Sequence, residues 1–484
     1  MADRILRGGR VVDPKNGVDG IADVVIEDGR IAAVTPNYAG HAAEETDCTG
    51  LVVCPGLVDS HLHLGSAFGS PYGMRMAALS GVTTCLDMAG PMSDILRHAP
   101  ETGCGIHAAV LEGFDPKGRF GTDKPTRDEL GVFVEEALAA GAVGVKIMGG
   151  HWPLPLETSS ELIRVANERG AYVAWHAGST TAGSNLLGMR ETIEAAGTEK
   201  LHLAHINAYC RGRVKAVEEE TAEAIELLKT HPNIWCESYV SPMNGTILTC
   251  DGEGVVIDHV TRNCLATFGR TPDKAGMIEA FRHGEVQAIV ERGGVSVLVG
   301  GEEGLELWLA AETATAGSFP VNPATSRFLL AQAKREDGSF VVDAIGTDGG
   351  CIPRNVLLSV GLSLVKFGAL TLTEFVQKTS LNPARHLRLA DRGHLSEGAA
   401  ADVTVFDFER QKAVETIADG KTVMKDGRLV GRGVGKAGLR RHHRRLFGSR
   451  TRTPPGALNE RDAKRSRAED SRMRVFRPSF FARE

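Results

Sequence analysis

Eight short apolar runs, most of them followed by a helical stretch, constrain the fold of this 484-residue chain more than any other feature. They lie at residues 57–59, 83–88, 106–111, 142–147, 171–176, 201–205, 234–238 and 341–348, and each is apolar enough for burial on both faces. Strands alternating with helices need crossover connections, and eight such units close into a (β/α)8 TIM barrel, an α/β fold. The helices carry start signals. Thr158-Ser-Ser-Glu161 has the order of a capping box before residues 162–169, and Thr371-Leu-Thr-Glu374 repeats it before 375–380. Residues 213–229 read as a further helix. Residues 240–340 separate the last two strands, a length that predicts a folded insertion over the active face.

The two ends have another character. Val25-Ile26-Glu27 and Arg30-Ile31-Ala32 flank Asp28-Gly29, and Val423-Met424-Lys425 and Arg428-Leu429-Val430 flank Asp426-Gly427. Asp-Gly supplies the positive φ angles of a tight hairpin. Both β-rich ends are therefore expected to share one small β-sandwich. The expected organisation is 1–55 as its first part, 56–392 as the barrel, 393–432 as its second part, and 433–484 as a basic, disordered tail. Residues 436–484 hold 15 Lys or Arg against 5 acidic residues, so an RNA- or acidic-surface-binding arm is the alternative there.

Composition narrows the function classes. A formal charge of −6 argues against a general nucleic-acid binder. No apolar run reaches the ~18 residues of a membrane span, and the first residues lack the apolar core of a signal peptide. Nine scattered cysteines without a CxxC pair argue against a disulfide framework and a thiolate zinc site. A cytoplasmic protein acting on a small molecule is expected.

In such barrels the reactive groups stand at the C-terminal strand ends. His61 and His63 follow strand one, Lys146 ends strand four, His176 strand five, His205 strand six and Asp348 strand eight. Histidines at i and i+2 of a strand point the same way, so both imidazoles can face the barrel mouth. Neutral imidazoles with a carboxylate suit zinc and related divalent ions. Four histidines, an aspartate and a lysine suffice for two ions, provided the lysine becomes a ligand. An ammonium cannot ligate; the carbamate formed from a neutral lysine amine and CO2 can, and it can bridge. Pairing of Lys146 with Asp348 or with a substrate carboxylate is the alternative.

Pro55-Gly-Leu-Val-Asp-Ser-His61-Leu-His63, followed by the ordered Lys146, His176, His205 and Asp348, resembles the amidohydrolase superfamily, best in its binuclear branch with hydantoinases, dihydroorotases and N-acyl-amino-acid deacylases. Gly398-Ala-Ala-Ala-Asp402 is similar as well. The resemblance implies that His61, His63 and Asp348 hold one ion and His176 and His205 the other. It also implies that N6-carboxylated Lys146 bridges two divalent ions, zinc first among them, together with a hydroxide. That hydroxide would attack the amide carbonyl of a cyclic amide or imide or an N-acyl amino acid, with Asp348 as general base and then acid.

Four further residues are candidate substrate contacts: His151, Asn207, Tyr209 and Arg354, the last able to clamp a carboxylate. Some deacylase relatives bridge their metals with a second-strand cysteine, but Cys85, like Cys351, reads as buried packing. Two alternatives stand beside the leading one. A mononuclear heterocycle deaminase would put an acid soon after His176, where this chain has Ala-Gly-Ser-Thr-Thr-Ala-Gly. A non-catalytic dihydropyrimidinase-like scaffold would have lost ligands. Relatives of this kind are commonly homo-oligomers, so self-association is open.

Overall fold

The computed structural model describes residues 2–431; the tail expected from residue 433 lies outside them. Eight parallel strands make the barrel: Leu57–His63, Val82–Ala89, His107–Gly113, Gly144–Met148, Tyr172–His176, Leu201–Leu203, Ile234–Tyr239 and Ala344–Gly346. They pair in chain order. The ring closes where the eighth strand runs on into Gly349–Gly350, which pairs with Leu62 and His63. At the seam the Asp348 N–H donates to the His61 carbonyl at 2.7 Å.

Strand alternation decides which side chains reach the interior. Val145 and Ile147 pack outward among Leu162, Ile163 and Val173, whereas Lys146 and Met148 line the cavity at the barrel mouth. Each such fully buried aliphatic side chain contributes about 1.5–3 kcal/mol. The termini form one nine-stranded sheet beside the barrel, joined where Val403–Asp407 pairs antiparallel with Val52–Pro55. Asp28 and Gly29 take φ 50° and 70°, and Asp426 and Gly427 take 50° and 75°. Both Asp-Gly hairpins thus form as the sequence leads one to expect.

Between strands seven and eight, Asn244–Ile247, Gln287–Arg292, Val295–Gly300 and Ala316–Phe319 form an antiparallel sheet. It has its own core around Phe281, Trp308 and Phe319. Its Asn244, Val260 and Asn263 reach into the barrel cavity.

Several local expectations shift. The helix expected from residue 162 begins at Leu156, with Pro155 in the N-cap position. Thr158 is therefore inside it, and its hydroxyl donates to the Asp123 carbonyl. Pro155, in extended backbone with φ −56° and ψ 140°, stands just outside the first turn, and the helix runs straight through the Thr-x-x-Glu pattern without using it as a cap. At Thr371 the capping box does form, with reciprocal bonds to Glu374. The helix expected from 213 begins at Val217, because the buried Glu220 carboxylate draws the Gly212, Val214 and Lys215 N–H groups into a loop. Among the described residues no helix is long and apolar enough to cross a membrane.

Candidate metal centre

The strand-one histidines project together into the cavity, as their i, i+2 spacing requires. His61 Nε2 and His63 Nε2 approach Asp348 Oδ1 at 3.2 and 2.9 Å. The three donor atoms lie within 4.8 Å of one another. Across the mouth, His205 Nε2 stands 3.1 Å from His176 Nδ1. The His205 ring also stacks on His61, with centroids 4.9 Å apart and planes 13° from parallel. The two groups therefore adjoin, and Lys146 lines the same cavity. All six side chains expected to meet do meet.

Backbone strain helps to aim two of them. His205 has φ 66° and Asp348 φ 50°, in the left-handed region that costs of order 1–3 kcal/mol for such residues. Strand six ends at Leu203, two residues earlier than expected, and the left-handed turn at His205 directs its ring over the mouth.

Partners behind the histidines fix their rings. His61 Nδ1 meets the Glu237 carboxylate at 2.6 Å, so its Nε2 is left facing the cavity. The Tyr209 hydroxyl accepts from the Ala177 N–H at 2.9 Å and lies 3.3 Å from His205 Nδ1. Ser184 Oγ is 2.9 Å from His176 Nε2. The sequence reading missed Glu237 and Ser184. A charged residue inside the apolar Ile-Trp-Cys-Glu-Ser-Tyr strand was the available signal for Glu237.

Charge states follow from burial. It lowers His63 to about 4 and takes His176 and His205 well below the ordinary imidazole range. Their lone pairs are free at neutral pH. For His61 burial is opposed by Asp348 and Glu237, which win and raise it. For Asp348 burial is outweighed by Arg354 and the two histidines, which hold the carboxyl well below its usual range. Burial lowers the Lys146 amine to about 8. Lys146 makes no ion pair among the described residues; its Nζ touches Met88 Sδ at 3.4 Å. Three neutral imidazoles, a fourth at His61 held between two carboxylates, an ionised carboxylate and an amine that sheds its proton easily form a donor set that fits first-row divalent ions.

The expected substrate contacts divide. His151 lines the cavity and reaches Asp258 of the insertion at 3.4 Å. Arg354 also lines it, but its guanidinium already pairs with Asp348 Oδ2 at 2.5 Å and donates to the Met243 carbonyl at 3.0 Å. Asn207 and Tyr209 are buried and outside the lining; Asn207 Oδ1 accepts from the Ser238 hydroxyl and the Tyr239 N–H. Cys85 lies outside the lining too, with its thiol near the His107 carbonyl at 3.5 Å. From strand two it is Met88 that faces the cavity.

The profile of the amidohydrolase family matches residues 52–430. A dihydroorotase of Streptococcus pneumoniae serotype 4 is 25% identical over 425 residues, covering 85% of this chain and 92% of that one. A dihydroorotase of Geobacter metallireducens is 26% identical over 462 residues, covering 87% and 93%. Among solved structures, a D-aminoacylase superposes with a TM-score of 0.63 at 20% identity, over 89% of this chain and 98% of that one. For a D-hydantoinase the values are 0.57 and 17%, over 89% and 97%. These two structures speak for the fold. The profile match runs from the last sandwich strand before the barrel to the end of the C-terminal sheet, so barrel, insertion and centre all fall within it. The chain belongs to the amidohydrolase family and is a hydrolase of carbon–nitrogen bonds other than peptide bonds.

Proposed function

We propose that this protein opens the amide bond of a cyclic amide or imide, or of an N-acyl amino acid, with two divalent ions, zinc for preference. The observation that carries the reading is the convergence of His61, His63, Lys146, His176, His205 and Asp348 on one cavity. In this reading His61, His63 and Asp348 hold one ion and His176 and His205 the other. Lys146 joins them after its neutral amine adds to CO2 and releases a proton, leaving an N6-carboxylate; an amine lowered to about 8 supports that step. When bound, the ions supply Lewis acidity toward a water and toward the scissile carbonyl.

The chain's own groups do the rest. Asp348, ionised at neutral pH, accepts the proton of the attacking water and returns it to the leaving nitrogen. Arg354, bonded to both the carbonyl and the carboxylate of Asp348, keeps that carboxylate from swinging away. Tyr209 and Asn207 support from behind, Tyr209 beside His205 and Asn207 between strands six and seven, and His151 meets the substrate. The same reading places residues 1–55 and 393–432 in the sandwich, 56–392 in the barrel with 240–340 as its insertion, and the protein in the cytoplasm.

A panel of dihydropyrimidines, hydantoins and N-acyl-amino acids of both hands, run alongside metal analysis, tests the reading. Turnover of one class with about two ions per chain is expected, with both lost in Lys146→Ala. Full activity and metal content in that variant would remove the bridge; one ion per chain with ammonia released from an aminated heterocycle would replace the reading by a deaminase.

A further inference from the structure

Below the centre, toward the N-terminal ends of the strands, lies a row of polar side chains that the hydrolytic chemistry does not use. The register pairs Ala174 with His202 and His202 with Trp235. Because side chains alternate along a strand, Tyr172, His202, Trp235 and Glu237 all turn to the same, inner face of the barrel. His202 is buried there, its ring stacked on Trp235 with centroids 3.9 Å apart. Its Nδ1 lies 3.1 Å from the Tyr172 hydroxyl. Its Nε2 lies 3.7 Å from Glu237 Oε1, the oxygen that meets His61 Nδ1 at 2.6 Å. Neither His202 Nε2 nor Glu237 Oε2 has a hydrogen bond among the described residues. Two buried polar groups without water have only each other to turn to.

The order of protons along the row follows from what each group can do. Burial lowers His202 to about 3, so it is neutral and carries one proton. A carboxylate only accepts, and the Trp235 indole, which bonds to the Tyr172 hydroxyl, only donates. The hydroxyl therefore donates to His202 Nδ1, and the imidazole proton sits on Nε2, aimed at Glu237. Glu237 in turn accepts from His61 Nδ1–H, which leaves His61 Nε2 to the cavity.

We propose that His202 is a positioning residue for the centre: its Nε2–H steadies the Glu237 carboxylate, which fixes the ring and tautomer of His61. Tyr172 locks His202 in the tautomer this requires. The hold of His61 on an ion then depends on a side chain that touches neither ion nor substrate. That last link, to a bound ion, rests on the two-ion reading above, whereas the row itself exists in the metal-free protein.

Two measurements separate the row from the ion. In metal-free protein with 15N-labelled histidine, His61 Nδ1–H should give a far-downfield proton signal in NMR, identified by its loss in Glu237→Gln. His202→Phe keeps a stacked ring but removes both nitrogens, and should move that signal and abolish the one from His202 Nε2–H. His202→Gln retains a donor and should return the His61 signal toward its wild-type position. In competition between zinc and a chelator, His202→Phe should weaken one of the two ions about 10-fold. The double variant His202→Phe/Glu237→Gln should bind no more weakly than Glu237→Gln alone, since both act through one contact. Tyr172→Phe leaves the His202 ring in place and is read in the same way if His202→Phe fails to fold. No downfield His61 signal in wild type, a signal unmoved in these variants, or a loss of affinity that adds in full to that of Glu237→Gln would overturn the proposal. A moved signal in a protein that binds no zinc would instead overturn the two-ion reading and leave the positioning row standing.

Discussion

Replacing Lys146 with methionine exchanges a buried amine for a neutral chain of similar length, and the consequences for stability and for metal should run in opposite directions. Burial takes the Lys146 amine from its ordinary 10.5 to about 8. Below pH 8 the metal-free protein therefore holds a desolvated charge, and between pH 8 and 10.5 it gives up a proton that the unfolded chain keeps. A fall of that size corresponds to roughly 3 kcal/mol against the folded state. Between pH 8 and 10.5 the unfolded chain binds the extra proton, so metal-free wild type gains stability as pH rises through that window. Methionine has no such linkage. Stripped of metal, Lys146→Met should be more stable than wild type by about 2–3 kcal/mol at pH 7, and the difference should vanish above pH 10.5. Urea unfolding at several pH values, done after chelation, measures this. Metal analysis of the reloaded variant should show that the paired centre is lost. A variant no more stable at pH 7, an advantage independent of pH, or two ions still bound would each refute the reasoning.

Asp348→Asn keeps the size of the side chain but removes its capacity to take a proton. Turnover should fall about 10²- to 10⁴-fold in steady-state assays, with the circular dichroism spectrum unchanged. Glu237→Gln weakens the acceptor that orients His61, so metal affinity should fall about 10- to 100-fold in chelator competition. Away from the centre, Arg392 pairs with Asp402, just before the strand Val403–Asp407, and at 2.8 Å with Asp419, in the turn after Lys412–Ala418. Arg392→Ala leaves the buried Asp402 carboxylate with His107 at 3.4 Å and the Asp419 N–H at 2.8 Å, and should cost about 1–3 kcal/mol in thermal or chemical unfolding.

Much of the centre was legible because its signals are local. Strand alternation alone puts His61 and His63 on one face, and the spacing of Lys146, His176 and His205 follows one strand-helix unit each. Helix and strand limits were less legible. One helix runs through the Thr158 pattern without using it as a cap, and the long reach of Glu220 delayed another helix start to Val217. Arg354 looked like a clamp for substrate because the sequence cannot show that Asp348 already occupies it. Nor could it show that strand two turns Met88, not Cys85, toward the lysine.

The chain's own order of residues determined the barrel, the hairpins of the sheet at its ends and the six groups at the strand termini, since periodicity and turn chemistry act over a few neighbours. Tertiary structure alone decided how those groups are aimed and which residues hold them. Glu237 meets His61 across 176 positions, and Arg211 meets Asn322 across 111. Contacts of that range depend on how the ring of strands closes and where the insertion settles, and no local pattern encodes them.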